Sequence, residues 1–261
     1  MIHLNKDFAR IFQGDDPFKY LRKLEGNIYR EIKTRKTLQF EFNGKSYFMK
    51  LHAGVGWSEI MKNILQLKQP VIGAKNEWKA IQRLQDIGVA TMSIVAYGER
   101  GFNPAKRESF IVTEELYDTI SLEDFCRDWG NEPPKPYIRR IIIQQVATIA
   151  RKLHSNGICH RDFYLCHFLL HKDPSLFPKL SLIDLHRALI HKNLSQRWIV
   201  KDLAGLYYSA MGISLSKRDF VRFARHYSGQ NSGSSLRQNK GFWDQVERRA
   251  TTMFKKLGPA R

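Results

Sequence analysis

Residues 38–50, Leu-Gln-Phe-Glu-Phe-Asn-Gly-Lys-Ser-Tyr-Phe-Met-Lys, leave the chain few alternatives. Leu38, Phe40 and Phe42 alternate with polar residues, the two-residue period of a half-buried strand. Asn43-Gly44 then supplies two adjacent residues that tolerate positive φ, which a tight hairpin turn requires. Tyr47-Phe48-Met49 returns as the second strand, with Lys50 at its end. A lone hairpin is not stable in water, so more strands or a covering helix must follow.

The next segments supply them. In residues 73–89, Trp78, Ile81 and Leu84 recur at helical spacing, Glu77 lies beside them, and Gly88 suits the stop. Residues 93–101 and 108–116 read as a strand pair around a Gly-rich connection. Hairpin, helix, strand, strand describes a small antiparallel sheet with one helix on it. Residues 1–25 read as short helices or an arm, with Phe8, Ile11 and Phe12 on one face. Residues 57–69 carry an apolar stripe edged by lysines, expected as a core-packed helix; the sharper reading is an interfacial helix meeting lipid or acceptor.

The pattern changes after a Pro-rich loop at 131–137. Ile138, Ile141, Ile142, Ile149 and Leu153 mark a long helix stopped by Gly157. Strands at 167–171 and 179–186, joined through Lys172-Asp173-Pro174-Ser175, form a second hairpin. Past residue 190 the pattern is helical, at 198–211, 217–227 and 243–257. The expected organisation is α+β and bilobal. It comprises an N-terminal arm (1–25), a sheet-rich lobe (26–116) and a mainly helical lobe (117–261).

Composition bounds the partners. The chain has 261 residues, 43% of them hydrophobic, which is enough for a core, and a formal net charge of +18. Such an excess points to nucleic acid, an anionic membrane surface, phosphorylated substrates or an acidic protein. Three cysteines with no C-x-x-C argue against a disulfide framework and for a reducing compartment. The charged first residues lack a signal-peptide core, and no run reaches the apolar length of a membrane span. A soluble intracellular protein that touches a membrane surface is expected.

The stretch Ile-Cys-His-Arg-Asp-Phe-Tyr-Leu-Cys-His-Phe-Leu-Leu-His, residues 158–171, carries the chemistry. Cys159-His160 and Cys166-His167 invite a zinc reading, but this spacing fits no common structural-zinc pattern. Small buried thiols are the expectation. His160-Arg161-Asp162, followed by an apolar strand and a strand ending in Asp184, resembles the catalytic core of the protein-kinase fold. That resemblance implies that Asp162 orients the acceptor hydroxyl and takes its proton. It implies that His167 and Asp184 hold Mg2+, and that Lys50, paired with Glu77, holds the α/β-phosphates of ATP. The order of elements, more than any one residue, carries the likeness.

Segments 35–52, 73–78, 109–116, 160–171, 183–188 and 201–210 further resemble the bacterial lipopolysaccharide core heptose kinases, over most of the chain and more weakly past about residue 225. The resemblance implies transfer of the ATP γ-phosphate to the first heptose of the inner core, at the cytoplasmic face of a Gram-negative inner membrane. Partners implied are the membrane-anchored lipopolysaccharide acceptor and the anionic leaflet, with an acidic protein partner possible and no nucleic acid. It adds Glu114 to the nucleotide site, with His160 and Asp202 as structural supports; Asp202 alternatively N-caps its helix.

The family pattern is not met everywhere. No G-x-G-x-x-G precedes the hairpin; residues 26–36 stand there, and Arg30, Lys33, Arg35 and Lys36 are the candidates to replace backbone amides with side-chain charge. Leu-His follows Asp184 in place of Phe-Gly, and the segment beyond it is short with no A-P-E, which disfavours a peptide acceptor. The competing readings are a protein kinase and a non-catalytic kinase-like binder of anionic lipid or nucleic acid. Retention of Lys50, Asp162 and Asp184 argues against the second.

Overall fold

The computed structural model describes the chain except residues 13, 15, 33, 66–71, 175–177, 230–238 and 260–261, and the side chains of Ile11 and Asn63. It divides into two compact units. The first holds Met1–Arg83, Met92–Leu116 and Leu185–Arg187; the second holds Leu84–Thr91, Tyr117–Asp184 and Ala188–Arg261.

The first unit is built on a six-stranded antiparallel sheet. Its strands are β1 (Ile2–Leu4), β2 (Asn27–Ile32), β3 (Arg35–Phe42), β4 (Lys45–His52), β5 (Ile94–Arg100) and β6 (Glu108–Glu114), in the order β1-β5-β6-β4-β3-β2. Asn43 and Gly44 both take positive φ, 50° and 72°, as the hairpin turn demands. Paired residues share a face, so the register divides the sheet in two. Leu38, Phe40, Tyr47, Met49, Leu51, Phe110 and Val112 lie on one side. Arg35, Thr37, Lys50, His52, Ser109 and Ile111 lie on the other.

The apolar side explains the N-terminal residues. Helices α1 (Lys6–Phe12) and α2 (Pro17–Lys23) press Phe8, Phe12, Phe18 and Leu21 onto it in one buried cluster. The two N-terminal helices are therefore part of this core, and Ile2–Leu4 pair with β5 as an edge strand that their composition did not announce. Residues 27–32 are likewise a strand, exposed along its whole length, where the sequence showed only the absence of a Gly-rich loop.

Helix α3 (Gly56–Leu65) departs from expectation. Of its apolar residues Ile60 is buried, whereas Trp57, Met61, Ile64 and Leu65 are exposed. Periodicity reports that a helix has an apolar face but not what covers it. The 66–69 portion of that expected helix lies outside the described residues. Helix α4 (Lys75–Asp86) starts in the first unit and carries Glu77 and Trp78, both buried.

In the second unit, the short helix α5 (Leu122–Cys126) precedes the long helix α6 (Pro136–Ser155), which packs with α8 (Lys217–Ser228), and α7 (Gln196–Ala210) packs with α9 (Lys240–Leu257). Pro136 opens α6, where its missing N–H costs nothing. Two small sheets hold the loop regions: β7 (Thr119–Ser121), β9 (Phe168–His171) and β10 (Leu180–Leu182) in one, β8 (Ile158–Cys159) and β11 (Leu189–Ile190) in the other. The second hairpin is shorter than its sequence suggested, because Ile183 and Asp184 leave the ladder to serve the neighbouring loop.

Candidate active site

The polar face of the first unit's sheet carries a cationic group. Lys50 Nζ lies 2.6 Å from Glu77 Oε1, and Glu77 is 1% exposed. A carboxylate so buried is tolerable only with a partner, so the pair fixes the lysine. Two residues on, and therefore on the same face, is His52. Burial first, then the charges of Arg35, Lys50 and His186, push its imidazole down to about 3, so it is neutral at physiological pH. Arg35 sits opposite His52 in the register, and its buried Nε–H has no hydrogen-bond partner among the described residues. A donor left over beside a lysine and an uncharged imidazole is what a phosphate oxygen would complete.

The other candidates of this unit differ. Lys36 points to the opposite face and gives its ammonium to the Leu24 carbonyl, 3.1 Å away. Arg30 is exposed on β2, and Lys33 lies outside the described residues. Glu114 ends β6, where its N–H donates to the Ser93 carbonyl at 2.9 Å. His52 and His186 were missed from sequence; the period-two spacing from Lys50 was the available signal for His52.

The second unit brings Asp162, His167, Asp184, His160 and Asp202 into one network. Asp202 lies in the middle of α7, which Ser195 caps, so N-capping is not its role. Its carboxylate is 1% exposed and accepts from the main-chain N–H of His160 (2.6 Å) and of Arg161 (2.8 Å). Arg161 takes φ 73°, a left-handed conformation costly for a bulky residue, and this aims successive N–H groups at one anion. The Cys159 thiol also donates to Asp202, at 3.4 Å, and His154 Nε2 approaches it at 3.4 Å. Burial pushes the Asp202 carboxyl upward, but the His154 hydrogen bond, the neighbouring imidazoles and the His160 N–H outweigh it and hold the pKa below 3.8. Gly205, one turn further, lets α7 lie close to the loop: a Cβ there would sit 3.2 Å from the Phe163 carbonyl.

His160 is fully buried, and burial pushes its pKa down. Its Nε2 donates to the Ile183 carbonyl at 2.9 Å, which ties the loop to the residue before Asp184. His167 stacks on His160 with ring centroids 5.6 Å apart. Its Nδ1–H donates to the Asp162 main-chain carbonyl at 2.7 Å, which fixes the loop backbone. In that tautomer Nε2 carries a lone pair, and it faces Asp184 Oδ2 across 3.6 Å. Two lone-pair donors opposed across such a gap suit a cation between them, and Asp184, at φ 59°, is turned out of its strand toward it. Asp162 itself is half-buried.

An antiparallel sheet bearing a clamped lysine and a helical unit bearing a braced His-Arg-Asp loop with a following aspartate define a protein-kinase-like phosphotransferase. Within that class the chain belongs to the lipopolysaccharide kinase (Kdo/WaaP) family, whose pattern matches residues 19–227. It is 49% identical over 256 residues to the lipopolysaccharide core heptose(I) kinase WaaP of Escherichia coli, covering 96% of each chain. It is 46% identical to the Pseudomonas aeruginosa protein of the same name, covering 97% of this chain and 96% of the relative. A solved structure of WaaP in complex with acyl carrier protein superposes with a TM-score of 0.85 at 42% identity, covering 97% of this chain and 99% of that one.

Proposed function

We propose that this chain is an ATP-dependent kinase that phosphorylates a heptose hydroxyl of the lipopolysaccharide inner core. The observation that carries this reading is the Asp202-braced loop, with His167 spanning from Asp162 to Asp184, in a chain similar end to end to heptose(I) kinases. Asp162 receives the acceptor's proton as the oxygen attacks the γ-phosphorus. Lys50 and Arg35 hold phosphate oxygens, and Glu77 keeps Lys50 in place. Asp184 and His167 are the residues that would hold magnesium, which when bound neutralises charge on the phosphates. Magnesium prefers oxygen, so the imidazole serves it weakly or through water.

The direct test is phosphate transfer from ATP to dephosphorylated, deacylated core oligosaccharide, read by mass spectrometry. Wild type transfers one phosphate to heptose; a generic protein substrate receives none. Lys50→Met lowers kcat/KM about 10²-fold, and Glu77→Gln lowers it less, because the amine remains but loses its anchor. Unchanged kinetics in both variants would reduce the pair to a structural ion pair. His167→Ala loses most of the activity, and His167→Asn recovers part of it, since an amide can both donate to the Asp162 carbonyl and turn an oxygen toward the cation. Equal rates for wild type and His167→Ala would remove the histidine from the reaction.

We infer an acidic protein partner as well. The WaaP structure contains acyl carrier protein, and this chain offers a net charge of +18. Its second unit also has an apolar pocket with a cavity volume of about 80 Å³, lined by Trp129, Ile143, Leu206, Phe220, Phe223 and Trp243. Among the described residues no helix is long and apolar enough to cross a membrane, so contact with the anionic leaflet would be peripheral.

A further inference from the structure

Helix α3 has an apolar face with no counterpart in the first unit's core. At 3.6 residues per turn, Ile60, Ile64, Trp57, Met61 and Leu65 occupy one continuous arc. Only its edge, Ile60, is buried; Trp57 is 56% exposed, Met61 49%, Ile64 50% and Leu65 80%. The exposed part is therefore about 100° wide on that helical geometry. The helix is also seated firmly. Gly54, at φ 87°, turns the chain out of β4, and a Cβ there would lie 2.7 Å from the Ala105 carbonyl. It rests on the short helical turn Pro104–Lys106 in the β5–β6 connection. The same connection holds Phe102, which is fully exposed, and the exposed Lys106. Lys62 is exposed on the far side of the helix from Ile60.

We propose that α3 is an interfacial helix that inserts Trp57, Met61, Ile64 and Leu65 into an anionic bilayer, with Lys62 and Lys106 meeting lipid phosphates. This rests on the reading that the acceptor is a lipid-anchored saccharide, since such an enzyme meets its substrate at a membrane surface. Trp belongs at the boundary between acyl chains and headgroups, because its ring is apolar and its N–H seeks a partner. Flanking lysines add attraction to anionic headgroups, each worth a modest, salt-sensitive increment. Neither contribution alone anchors a protein; together they give reversible recruitment.

The test is flotation of the whole protein with vesicles of phosphatidylethanolamine and phosphatidylglycerol, against vesicles of phosphatidylcholine alone. Wild type floats with the anionic vesicles and is released by salt. Met61→Ser/Ile64→Ser, two exposed positions that leave the core intact, lowers vesicle affinity about tenfold or more. Trp57→Phe keeps binding but removes most of the quenching by brominated acyl chains, because Trp78, Trp129 and Trp243 are buried and the half-buried Trp198 lies in the second unit under Arg161, Arg197 and Lys201. On deacylated core oligosaccharide the double variant turns over like wild type, whereas on lipopolysaccharide in vesicles it is slower. The proposal is overturned if wild type does not bind anionic vesicles, if the double variant binds them equally, or if its only loss is binding of acyl carrier protein. Failure of wild type to phosphorylate the soluble oligosaccharide would instead sink the kinase assignment and leave the flotation result standing.

Discussion

Asp162→Ala is expected to lower phosphate transfer by about 10²–10⁴-fold, the range for loss of a positioned base. The residue is half-buried in a loop whose backbone is held by other groups: the His167 Nδ1–H on its own carbonyl, and Asp202 on the two preceding amides. Removing the carboxylate therefore leaves the loop's scaffold in place. Melting temperature and nucleotide affinity should stay close to wild type, so that the loss appears in kcat. Asp162→Asn should lose nearly as much, because an amide occupies the same space but cannot take a proton. Near-normal turnover by either variant, measured on purified core oligosaccharide, would sink the assignment of Asp162 as the base.

The second large effect is expected at Asp202, and it should look different. Asp202 touches no reacting atom; it positions the loop from beneath. Truncation to Ala leaves the buried N–H groups of His160 and Arg161 without an acceptor and releases the left-handed backbone at Arg161. The expected cost is about 3–5 kcal/mol, the range for breaking one side of a buried charged network. In a chain of this size that lowers the melting temperature by about 10 °C. Activity and stability should fall together, in contrast to Asp162→Ala. Asp202→Asn, which keeps one acceptor oxygen, should fall between.

A pH series separates the charge from the shape. The folded pKa of Asp202 lies below its ordinary value of 3.8. The unfolded chain therefore binds the proton more readily, and this part of the stability is complete above about pH 3.8 and lost as pH falls through the folded pKa. His52 acts in the same sense at higher pH: held near 3 in the fold, it contributes stability above its ordinary 6.5 that is lost as pH falls toward 3. Urea melts should show wild type weakening throughout this acid range, and Asp202→Asn should lack the part below about pH 3.8. Parallel curves for the two proteins at acid pH would show that Asp202 contributes shape alone.

Local signals determined much of this molecule. The Asn43-Gly44 hairpin, the helix bearing Glu77 and Trp78, the β5–β6 pair and the long helix after the Pro-rich loop each rest on short-range periodicity and turn chemistry, which a stretch of residues carries within itself. The Lys50–Glu77 pair was expected as well, as what the protein-kinase resemblance implied.

What the sequence could not determine depends on contacts between distant residues. The strand at Ile2–Leu4 has too few residues to show a period and exists because β5 offers an edge. Lys36 and Arg35 are neighbours in sequence, yet the pleat sends one to the Leu24 carbonyl and the other to the face of Lys50. His167 donates to a carbonyl rather than a carboxylate because the loop's curvature, set by Arg161 and Asp202 some forty residues apart, decides which atom is in reach. The apolar stripe of α3 reads the same whether protein or solvent meets it. Periodicity fixes only that such a face exists; which surface covers it is a property of the assembled fold, where the sheet's apolar side is already filled by Phe8, Phe12 and Phe18.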